Sequence, residues 1–77
     1  MKVFTKDSNE WVLGYAGLVL AAARALRKVP EGVDSHKKVL DAMEIVVFNW
    51  EKNPSENPLD LASVFTNTLY DVYRIVI

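Results

Sequence analysis

The chain contains no cysteine. No disulfide can staple the fold, and no thiolate can hold zinc. With a single histidine, His36, a metal site would have to be assembled from carboxylates. Asp41 and Glu44 are the one neat helical pair, and two acids three residues apart on a solvated face usually remain just that. No glycine-rich phosphate loop is present: Gly14 and Gly17 lie inside an apolar helical stretch and are not followed by Lys-Ser or Lys-Thr. Asp34-Ser35-His36 carries the residue types of a hydrolytic triad, but sequence neighbours cannot adopt the geometry in which a base reaches a nucleophile and is oriented by a third group. Neither an enzyme nor a cofactor is expected.

Charge excess is also lacking. Nine basic residues against ten acidic ones give a net charge of −1, whereas general nucleic-acid binders carry a basic excess. Long apolar runs are missing too. The longest, Trp11 to Ala23, is stopped by Arg24 and falls short of the roughly 18–20 residues that span a bilayer. The start, Met1 to Asp7, has no apolar stretch before Asp7 and Glu10 interrupt it, so it is not expected to act as a signal peptide. No membrane partner is expected, and the absence of cysteine fits a reducing cytoplasm.

What is present is apolar surface. Hydrophobic residues make up 51% of the 77-residue chain, slightly rich for so small a domain. A chain of this length buries only about 60% of the surface its unfolded form exposes. Without disulfide or metal, stability must come from a well-packed core or from a second chain.

Helix start and stop signals divide the sequence into three helices forming one domain, residues 1–77. Asp7 and Glu10 have capping-box spacing, and apolar residues then run to Val29 before Pro30-Glu31-Gly32, which predicts a first helix over about 8–28. Asp34 or Ser35 is the expected cap of a second helix, about 35–52, ended by Asn53-Pro54. Asn57-Pro58 opens a third, about 58–75, with Asp60 in its first turn. Residues 1–6 are expected to lack order or to form a short strand at Lys2 to Thr5, which could pair only with Arg74 to Ile77 or a second chain.

Periodicity of about 100° per residue assigns the faces. In the first helix, Trp11, Tyr15, Leu18, Val19, Ala22, Ala25, Leu26 and Val29 form the expected core stripe. Gly14, Gly17 and Ala21 form a bare strip beside it, where another helix could approach closely. Leu13 and Leu20, one heptad apart, fall opposite with Arg24 and Arg27. In the second helix the core face is Val39, Leu40, Ala42, Met43, Val46, Val47 and Trp50, while Ile45 and Phe48 fall among the charges. The third helix is apolar over most of its circumference, with Leu61, Ala62, Phe65, Leu69, Val72 and Val76 at its centre and Val64, Ile75, Tyr70 and Ile77 on its flanks. A helix apolar nearly all round is normally surrounded, which two partners in a domain this small cannot do.

The expectation is therefore an all-α, three-helix domain packed as a homodimer. It binds another copy, another protein or both through Leu13, Leu20, Ile45, Phe48, Val64, Tyr70 and Ile75, as a small regulator, adaptor or inhibitor would. One alternative is a structural subunit of a larger assembly. The other is a nucleic-acid-associated regulator. Arg24, Arg27, Lys28, Lys37 and Lys38 face only Glu31 and Asp34 between positions 24 and 38, making a basic pole on an otherwise acidic chain. Such a pole fits an acidic protein surface better than nucleic acid, since little aromatic surface is interleaved for base stacking.

Overall fold

Helix α1 (Asn9–Lys28) opens in the computed structural model at Ser8, whose hydroxyl accepts from the Trp11 N–H at 3.2 Å. The cap is thus Ser8 rather than Asp7. Asp7 instead accepts from the Thr5 hydroxyl, which holds its carboxyl below the ordinary carboxylate range. Alanine-rich sequence favours the helix, and Glu10 in its first turn with Arg27 and Lys28 in its last complement the helix dipole. The structure describes residues 2–29 and 32–77, apart from the side chain of Val33, so most of the expected Pro30-Glu31-Gly32 break lies outside the described residues.

Helix α2 (Val33–Lys52) starts two residues before the expected boundary. Gly32 occupies the cap position at φ 157°, a backbone that residues with a side chain rarely adopt, no side chain bonds to the first turn, and Asp34 and Ser35 are already helical. Neither is the cap. Trp11 near the start of α1 meets Trp50 near the end of α2, edge to face with ring centroids 4.6 Å apart, so the two helices run antiparallel. The Trp50 indole N–H donates to the Glu56 carbonyl at 2.9 Å and fixes the loop that follows. Against that loop the Phe4 N–H donates to the Pro54 carbonyl at 2.8 Å, and the Phe4 ring is buried. From Lys2 on, the amino-terminal segment lies against this loop and the end of α2 through that backbone bond, the Phe4 ring and the Lys6–Glu51 ion pair. No strand occurs among the described residues.

The third helical segment has three geometries in succession. A 3₁₀ turn (Pro58–Asp60), in which the Asn57 side chain accepts from the Leu59 N–H at 2.9 Å, leads into α3 (Leu61–Thr68), and a π-turn (Leu69–Tyr73) follows. Leu61, Phe65 and Leu69 face the core at steps of four, each overshooting the helical repeat by about 40°. The wider π-turn corrects this drift. Tyr73, four residues beyond Leu69, still packs on the core, whereas Val72 turns to solvent. The segment ends at Tyr73, not 75. Arg74 is left-handed at φ 57°, with its N–H on the Tyr70 carbonyl at 3.0 Å and the Ile75 N–H on Leu69 at 3.2 Å. The reversal lays Ile75 and Ile77 against the core and leaves Val76 exposed, so Val72 and Val76 are not at the buried centre of this segment.

The bare strip of α1 is where the third segment docks, and its tightest point is Gly14. A Cβ there would lie 1.8 Å from the Pro58 carbonyl oxygen. At Gly17 it would lie 3.5 Å from the Ala62 Cβ, an ordinary contact. Gly14→Ala is therefore expected to lose at least about 2 kcal/mol in chemical denaturation, because backbone must move to admit one methyl. Gly17→Ala should gain up to about 1 kcal/mol from helix propensity. Equal effects at the two positions would show that the helices do not meet at Gly14. Arg74→Gly should also stabilise, by about 0.5–1 kcal/mol, by relieving the left-handed strain at the cap. A loss on the same measurement would show that no such strain is present.

Candidate protein-binding surface

The folded chain exposes 5274 Å², whereas the usual scaling gives about 4,700 Å² for a monomer of its mass. With extents of 42 × 19 × 17 Å it is a rod, and large apolar side chains are exposed on two of its faces.

One face lies on α1. Trp11, Leu18, Ala22 and Ala25 are buried, while Val12, Leu13, Ala16, Val19, Leu20 and Ala23 are exposed. The second set lies opposite the first. Leu13 and Leu20 are 62% and 61% exposed, and no charged residue stands between Glu10 and Arg24 to keep this face wet. Tyr15 and Val19, expected in the core stripe, are exposed as well. Helix α2 does not cover them: Tyr15 lines an open groove with Leu40, Met43 and Val47 of α2. Leu40, expected in the core of α2, lies on that groove.

The other face lies on α2 and centres on Phe48, 56% exposed and opposite the buried Val39–Val46–Trp50 stripe. The Phe48 ring forms a ridge between two shallow grooves. Tyr15, Leu40, Met43 and Val47 line one, with Glu44 and Glu51 at its rim. Ile45 and Tyr73 line the other, with Asp41 and Glu44 at its rim. Lys52 lies over the Phe48 ring at 4.4 Å from its centroid and covers part of it. The ionic rim is acidic on both sides of the ridge.

The sequence-derived interface residues do not form one patch. Leu13 and Leu20 share the α1 face, while Ile45 and Phe48 share the α2 face. Val64 belongs to a separate depression beside Trp50, Asn53 and Asp60. Tyr70 is exposed on the π-turn, with the Arg74 guanidinium 5.9 Å from its ring centroid. Ile75 is half-buried, packed against the core beyond the left-handed cap. Val12, Tyr15, Val19 and Leu40 were missed; for the three on α1 the thirteen-residue apolar run was the signal, since it leaves that helix no polar face and whatever the core does not take must be exposed.

Arg24, Arg27, Lys28, Lys37 and Lys38 are all exposed at one end of the antiparallel pair. The two ion pairs among the described residues, Lys6–Glu51 at 2.7 Å and Lys2–Glu10 at 3.9 Å, lie at the other end. Asp34 and His36 are exposed in the first turn of α2. Asp41 and Glu44 gather no third ligand, and no group of three or more potential metal ligands occurs among the described residues. Comparison with protein-family models, with curated proteins and with solved structures finds no match for this chain.

Placing Phe48 outside the core has a direct consequence. Phe48→Glu should leave helicity unchanged by circular dichroism and stability within about 0.5 kcal/mol, the range of ordinary surface substitutions. A loss of several kcal/mol would place the ring in the core.

Proposed function

We propose that the chain is a non-catalytic protein-binding module, a small regulator, adaptor or inhibitor, and that it works as a homodimer in the cytoplasm. The observation that carries this reading is the Phe48 ridge. A large aromatic ring left in water between two apolar grooves, framed by Asp41, Glu44 and Glu51, has the make-up of a binding hot spot. Its partner would insert an apolar side chain into one groove and set basic residues against the acidic rim. Charge complementarity of this kind speeds and orients association. No helix among the described residues is long and apolar enough to cross a membrane.

The test is a photoreactive phenylalanine analogue at position 48, expressed in the source cell. One adduct of defined mass is expected, its captured peptide carrying an apolar residue flanked by Lys or Arg. The double charge reversal Glu44→Lys/Glu51→Lys should abolish that adduct. No adduct, or one formed only between copies of the chain, would overturn the assignment of this face to another protein.

A further inference from the structure

The exposed face of α1 repeats the three-four spacing of its buried face, Trp11, Gly14, Leu18, Ala21 and Ala25, but has no partner in the fold. Leu13, Ala16, Leu20 and Ala23 are spaced three, four and three residues apart, the a–d repeat of a coiled-coil seam, and all four are exposed. Leucine occupies every a position of this stretch and alanine every d position. Asn9 and Arg27 continue the repeat at its two ends. We infer that this seam binds the same seam of a second copy, antiparallel, with Leu13 level with Ala23 and Ala16 level with Leu20.

The direction follows from size and charge. In an antiparallel pair, a positions meet d positions, so every layer joins one leucine to one alanine and the two helices can approach evenly along the seam. A parallel pair would stack leucine on leucine and alanine on alanine in alternating layers, wide and then narrow. Among antiparallel registers, the one stated matches all four layers, and a slip of one heptad would leave two of them. The same register sets Asn9 opposite Arg27 and brings Glu10 close to Arg24 of the second copy, at both ends by symmetry. A parallel pair would set Glu10 beside Glu10 and Arg24 beside Arg24, with the helix dipoles aligned unfavourably. A two-fold interface must be self-complementary, and this face is so only in the antiparallel sense. Arg24 and Arg27 thereby acquire a role as the flanking charges of the seam. Four layers from one helix pair make a small interface by the usual standard of about 800 Å² per partner, so association is expected at micromolar concentration.

The inference rests on the homodimeric part of the proposed function and is independent of Phe48. Because the native chain has no cysteine, single introduced cysteines report contacts without background. Leu13→Cys and Ala23→Cys both alter exposed positions. Under mild oxidation of the full-length variants, each alone should remain largely unlinked, because its own copies lie about 15 Å apart along the axis. An equal mixture should give the mixed disulfide as its main product. Sedimentation of the unmodified protein should show the mass rising from 8.7 kDa to twice that value over the micromolar range, and Leu20→Glu should abolish the rise while preserving helicity. If each cysteine variant links to itself and the mixture adds nothing, the pair is parallel and the inference is overturned. A particle of doubled mass with neither pattern overturns the α1 seam but leaves dimerisation standing. A protein of 8.7 kDa at every concentration overturns both, and leaves the Phe48 assignment to its own test.

Discussion

The fold depends on one backbone-to-backbone approach, that of α1 at Gly14 to the carbonyl of Pro58. Any other residue at position 14 would put a methyl group inside that oxygen. The missing side chain lets the 3₁₀ turn settle directly on α1, and α3 then runs along the strip past Gly17 and Ala21. Once that line is set, Leu61, Phe65 and Leu69 are carried into the space between α1 and α2, where all three are buried. The π-turn keeps Tyr73 on the same side. Four alanines (Ala21, Ala22, Ala25 and Ala42) among the thirteen buried core side chains let the three rods pack this closely.

The same approach determines what stays outside. Docking of the third segment occupies one side of α1, and α2 occupies the next only partially, since Tyr15 and Leu40 face each other across an open groove. The remaining third of α1 carries nothing but valine, leucine and alanine between Glu10 and Arg24. Each single exposed residue there would be ordinary. Three turns of them in a row, on a helix whose opposite face is already buried, make one continuous apolar strip. The apolar character of α1 is thus divided between an inner stripe that forms the core and an outer one available to a second chain.

How much of this was readable beforehand varies with the kind of signal. Helix number and order were legible, because Asn53-Pro54 and Asn57-Pro58 act locally and proline cannot continue a helix. The glycine strip was legible as a place of close approach, though not that Gly14 alone is tight; that depends on where the Pro58 carbonyl lands. The start of α2 was misplaced because Asp34 and Ser35 have capping chemistry, and nothing local shows that the helix has already begun at Val33. The packing of Ile75 against the core was hidden for a different reason. A left-handed arginine has no sequence signature, and without it the last residues read as one more helical turn. Tyr15, Val19 and Leu40 were assigned to the core because periodicity identifies an apolar face but not how wide a neighbouring helix covers it. Ile45 and Phe48 were the easiest site residues to find, since they interrupt a charged face and so stand out against their neighbours.

The two exposed surfaces differ in chemistry, and this separates the roles proposed for them. The α1 seam is short, aliphatic and ordered by heptad spacing, and it carries opposite charges at its two ends. Those properties suit pairing with itself. The α2 face is aromatic and grooved, with Asp41, Glu44 and Glu51 at the groove rims against the one Lys52 over the ring, so a second copy would bring mainly acid against acid there. It suits a partner of opposite charge. In the proposed dimer the two-fold axis crosses α1 near the level of Leu18, while Phe48 points from the side of α2 away from its own buried stripe. Self-association would then leave both Phe48 ridges open and hold them at a fixed separation. A partner carrying two copies of the complementary motif would be bound with avidity from contacts each too small to hold it alone. For a chain with so little core to spare, spreading affinity over two weak, separate surfaces is a physically economical way to bind firmly without a single large interface.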